Sequence, residues 1–159
     1  MHRAELPMSE FPLSRYLIEP LPSQQRGPVE TVLEYVAAYQ KWARDCHFWT
    51  DRHPDRVAQL QTGEAKATLT AIQKHYCSSK NRQYHRASTG YFFYGGTDDV
   101  NPVITSCSQT DERSALVITE KKKPHSPAFR FTLKKQGKLW LLDSLERLNS
   151  AGQWTEDTL

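Results

Sequence analysis

The six histidines and three cysteines of this 159-residue chain are the side chains best suited to hold a metal or act as nucleophiles. Their spacing decides against both roles. His47, His53, His75 and His85 form no HxH or HExxH pair, and His2 and His125 fall in loop-like segments. Cys46, Cys77 and Cys107 are widely separated and include no CxxC, so neither a structural zinc site nor a redox pair can be assembled locally. Cys46 and His47 are sequence neighbours, which on a helix point about 100° apart and cannot work as a nucleophile and its base. No GxSxG, P-loop or GxGxxG run is present. The expectation is a protein with no metal, no cofactor and no catalysis, whose cysteines are reduced thiols in a cytoplasmic, reducing compartment.

The remaining candidates are groups that recognise rather than react. Asp98, Asp99, Asp111 and Glu112 fall in segments flanking strand-like runs. Such acids form turns, or they meet a basic partner, and the sequence leaves both readings open. Lys121-Lys122-Lys123 ends at a proline and reads as a solvated hairpin tip. Trp154 stands in a polar, acidic tail, where it is either a lid on the core or an interface anchor. Tyr94 belongs to the run Tyr91-Phe92-Phe93-Tyr94, which as a strand points two rings inward and two outward. The net charge of +3 is too weak to indicate nucleic-acid tracking. No run approaches the roughly 20 apolar residues that span a bilayer.

These residues need elements to position them. Residues 1–27, with Pro7, Pro12, Pro20 and Pro22, read as an extended arm, part of which is pinned by Phe11, Leu13, Tyr16, Leu17 and Ile18. Pro28 opens a helix whose apolar positions Val32, Val36, Tyr39, Ala43 and Cys46 recur at steps of three and four. Tyr35, Trp42 and Trp49 widen that stripe, and His53-Pro54 ends it. A short helix over 55–61 and a second amphipathic helix from Glu64 to about Cys77 follow, separated by Gly63. The period then changes to two. Strands are expected at 91–94, 103–107, 115–119, 129–133 and 139–144, with a hairpin turn at Gln136-Gly137. Helices first and an antiparallel sheet afterwards define an α+β class, with one domain over 28–159 behind the arm.

Two stretches carry a resemblance. One is His75-Tyr76-Cys77-Ser78-Ser79-Lys80-Asn81-Arg82. The other is Phe129-Arg130-Phe131-Thr132-Leu133-Lys134-Lys135, then Gly137, Trp140 and Asp143-Ser144, closed by Gly152-Gln153-Trp154 and Leu159. Together they resemble the nuclear-transport-factor-2-fold immunity proteins found beside polymorphic toxins of Rhs and type VI secretion systems. Ser79 stands where that family has proline, and Leu139 is an insertion before the tryptophan. The resemblance implies helices packed on a curved, cone-like sheet. It also implies an antitoxin that forms a 1:1 complex with a cognate toxin domain and occludes its active site. On that reading Asp98, Asp99, Asp111, Glu112, Tyr94 and Trp154 are the candidate toxin contacts. Two rival functions share the fold: an isomerase or dehydratase pairing Asp143 with Tyr91 or Tyr94 in the cone, and a scaffold that homodimerises through the outer sheet face.

Overall fold

The computed structural model describes residues 10–79, 103–120, 128–157 and 159. The chain begins with a single helical turn, α1 (Leu13–Tyr16), and a 3-10 turn at Ser23–Gln25. The long helix α2 (Pro28–Arg52) follows, then a 3-10 turn at Pro54–Arg56, α3 (Val57–Thr62) and α4 (Glu64–Tyr76). Five strands complete it: β1 (Ile104–Asp111), β2 (Ser114–Thr119), β3 (Phe129–Gln136), β4 (Leu139–Leu148) and β5 (Trp154–Asp157). They form one antiparallel meander in the order β1-β2-β3-β4-β5. The α+β expectation is met.

The helix boundaries follow local chemistry. Pro28 occupies the first turn of α2, where its missing N–H costs nothing, and Arg52 is the last helical residue before His53-Pro54. Gly63 joins α3 to α4 at a close approach: a Cβ there would lie 2.6 Å from the Gln59 carbonyl oxygen, so the corner requires glycine. Between β3 and β4 the two-residue turn Gly137-Lys138 has Gly137 at φ +62, the first central position of a type II′ hairpin.

The core lies between α2 and the inner sheet face. Val32, Tyr35, Val36, Tyr39, Trp42 and Cys46 of α2 meet Ala115, Val117, Phe131, Leu133, Leu142 and Leu145 of the strands, and α4 adds Leu69, Ile72 and Tyr76. The Trp42 indole N–H donates to the Ala65 carbonyl at 2.9 Å and locks the two helices together. Asp143 is the extra residue of a bulge: Thr132 faces Ser144 while Leu133 faces Leu142. Such an insertion bends its strand and increases the twist, so the Asp143-Ser144 pair helps to curve the sheet.

Three segments differ from the sequence expectation. The arm contains a helical turn because Tyr16 is drawn into the core and its hydroxyl donates to Asp45 at 2.7 Å. The strand expected at 103–107 runs on through the polar residues Ser108–Asp111, which have no apolar alternation and are extended by pairing with β2, and β1 is exposed over most of its length. The C-terminal tail is a strand, since β4 runs on to Leu148 and offers its edge to Trp154–Asp157. The expected strand at 91–94 lies outside the described residues.

Candidate functional site

The candidate contacts are scattered by the fold. Asp98, Asp99 and Tyr94 lie outside the described residues, as do Tyr91, His85 and Lys121 to Lys123. Asp111 is the last residue of β1 rather than a loop residue. Its carboxylate accepts the Arg113 N–H at 2.7 Å, which is the local bond of a turn former. Glu112 is exposed at the tip of that turn. Trp154 sits at the start of β5, half-buried, with the Arg130 guanidinium 4.7 Å from its ring centre. Arg130 is held in turn by Glu146 in a two-bonded pair, at 2.9 and 2.8 Å. Phe129 and Phe131 face the core, so Arg130 and the tryptophan ring beside it lie on the outer face of the sheet.

The residues that suggested chemistry have structural partners. Asp143 accepts the Ser78 hydroxyl at 2.9 Å, beside the Ser78 N–H to Leu142 carbonyl bond at 2.7 Å, and so ties the end of α4 to the sheet. Cys46 and Cys77 are buried and Cys107 is exposed. Burial, and then the neighbouring Asp45 charge, push the Cys46 thiol well above its ordinary range, which makes it inert. Among the described residues no cluster of three His, Cys, Asp or Glu side chains could hold a metal. Tyr35, Tyr39, Trp42 and Phe131 fill the space between helix and sheet.

A buried polar cluster closes the base of the arm. Arg26, almost wholly enclosed, lies 3.7 Å from Glu34 and 5.1 Å from the centre of the Tyr76 ring. Its Nη1 is 3.1 Å from His75 Nε2. Arginine only donates, so that imidazole nitrogen accepts and the ring is neutral with its proton on Nδ1. Burial, and next the Arg26 charge, lower the His75 pKa, against the opposing pull of Glu34. The Tyr76 hydroxyl donates to Glu34 at 3.3 Å.

A concave surface missed by the sequence reading lies at the far end of α2. Glu10, Phe11 and Arg15 of the arm, Asp45, Phe48, Trp49 and Arg52 of the helix, and His53 just after it line a groove of about 470 Å³. One wall is fixed. Arg15 binds Asp45 through two bonds, at 2.7 and 3.0 Å, and Tyr16 donates to the same carboxylate. Desolvation, and then that bond to Asp45, raise the Tyr16 pKa. Phe11 is anchored through the Thr68 hydroxyl, which donates to its carbonyl, and through its own N–H to Glu64. The other wall is aromatic and basic: the Arg52 guanidinium lies 5.2 Å from the Phe48 ring centre, and Arg56, beside the groove rather than in its lining, lies 5.7 Å from that of Trp49. Phe48 is 63% exposed, the most of any large apolar side chain among the described residues. The available signal was Phe48, which stands off the apolar stripe that the other aromatic residues of α2 follow.

A family model described as NTF2 fold immunity protein matches residues 28–158. No curated protein and no solved structure matches the chain. No helix among the described residues is long and apolar enough to cross a membrane.

Proposed function

The chain belongs to the NTF2 fold immunity proteins, and we propose that it neutralises one cognate toxin domain by forming a 1:1 complex that covers the toxin's active cleft. The observation that carries this reading is the family match across 28–158, which takes in every described element of the sheet. An inhibitor of this kind acts by surface complementarity and needs no reaction centre. The packed interior, the Ser78–Asp143 bond and the burial of Cys46 favour that role over an isomerase on the same fold. The partner is a toxin of the Rhs or type VI secretion kind, and the site of action is the cytoplasm of the producing cell.

The acids Asp98, Asp99, Asp111 and Glu112, with Tyr94 and Trp154, are proposed as contacts that steer and orient the toxin. Clustered charge mainly accelerates encounter. Reversing Asp111 and Glu112 to lysine should therefore slow association and flatten its salt dependence. An unchanged on-rate would remove this turn from the interface.

The test of function is rescue. The toxin domain encoded immediately upstream is induced in a sensitive bacterium with and without this protein, and the tagged protein is recovered. Restored growth with a stoichiometric complex supports neutralisation. Persistent toxicity with both proteins soluble and no complex overturns it.

A further inference from the structure

We propose that the groove at the C-terminal end of α2 seats an acidic segment of the toxin whose apolar side chain covers Phe48. This contact rests on the immunity reading but lies apart from the acidic turn. Thr31 of α2 donates to the Trp140 carbonyl at 3.3 Å. Trp140 pairs with Lys135, whose N–H binds the Arg113 carbonyl at 2.8 Å. The acidic turn therefore sits near the start of α2. Phe48 is 17 residues beyond Thr31, or about 25 Å along the axis.

The chemistry of the occupant follows from what the groove leaves unused. Asp45 is already neutralised by Arg15. Arg52 and Arg56 pair with no carboxylate among the described residues: Arg52 stacks on Phe48, and Arg56 stacks on Trp49 and binds the Gln59 side chain at 2.8 Å. A guanidinium carries five N–H donors in a planar fork, so with no carboxylate on either of these two a partner's carboxylate can bind through two parallel bonds. Glu10 on the arm wall is the groove's other carboxylate, and Arg52 lines the groove with it. At 100° per residue Asp51 turns well away from Arg52 on the helix. Half-buried Trp49 with arginines beside it belongs to the residue types that dominate binding energy at interface centres, and exposed Phe48 adds apolar area next to it.

The experiment measures affinity of the full chain for the purified toxin domain by calorimetry, alongside growth rescue. Arg52→Glu with Arg56→Glu should weaken binding by about a hundredfold or more, and Phe48→Ala by about tenfold, with thermal midpoints unchanged because these side chains are solvent-facing. Arg52→Lys should recover only part of the loss, since an ammonium cannot make the bidentate pair. Wild-type binding with all three variants within about twofold would overturn the groove and leave neutralisation standing. Wild-type chain that forms no complex would overturn the immunity reading, and this contact with it. A concentration-dependent dimer abolished by Phe48→Ala would assign the groove to a second copy and overturn the proposal.

Discussion

His75 shows how one side chain carries a pH dependence through its neighbours. Its Nε2 must stay unprotonated to accept from Arg26, and burial together with the Arg26 charge lowers its pKa below the ordinary value of 6.5. The unfolded chain then binds more protons than the folded one in the window just below 6.5. The contribution is complete above the unfolded value and is lost as the pH falls through the folded one. Urea midpoints should drop over that window, and His75→Gln should flatten the drop while Arg26 keeps Glu34. A His75 resonance titrating at or above 6.5 would refute the assignment.

The turns and bulges of the sheet locate its strain, and they also separate what the sequence disclosed from what it hid. Gly137 at φ +62 faces open space, so Gly137→Ala adds no clash but forces a Cβ into the left-handed region. The expected cost is about 1 kcal/mol in denaturant unfolding, with Gly137→Asn milder; an alanine variant as stable as wild type would contradict the turn geometry. This turn was legible because glycine there has one conformational use. The helices from Pro28 and from Glu64 were legible for a similar reason, each having a breaker at its boundary and a regular apolar stripe. The far half of β1 was not, because Ser108–Asp111 are exposed and their extended state comes from pairing with β2 rather than from their own pattern. The β5 strand was hidden likewise, since only the edge offered by β4 makes Trp154–Asp157 extended. The groove was the least legible feature, because it joins residues 10–15 to residues 45–53 through a salt bridge that no periodicity announces.

At the scale of the whole molecule, the arm decides whether residues 28–159 act alone. It places Phe11 and Tyr16 in the same core as α2 and α4, sets Arg26 in a buried polar cluster, and supplies one wall of the groove. Burying two aromatic side chains is worth roughly 3–6 kcal/mol before the entropy of ordering the arm is set against it. That is a large fraction of the 5–15 kcal/mol typical of a domain. Deleting residues 1–26 should therefore lower the thermal midpoint by several degrees while leaving the helix and sheet signals intact at low temperature. It should also weaken toxin binding under conditions where the shortened chain is fully folded, because Arg15 no longer holds Asp45 and the groove loses a wall. A lower midpoint with unchanged affinity would make the arm a brace for the core and confine recognition to the rest of the chain. An unchanged midpoint would make 28–159 a self-sufficient domain, with the packing of Phe11 and Tyr16 energetically idle.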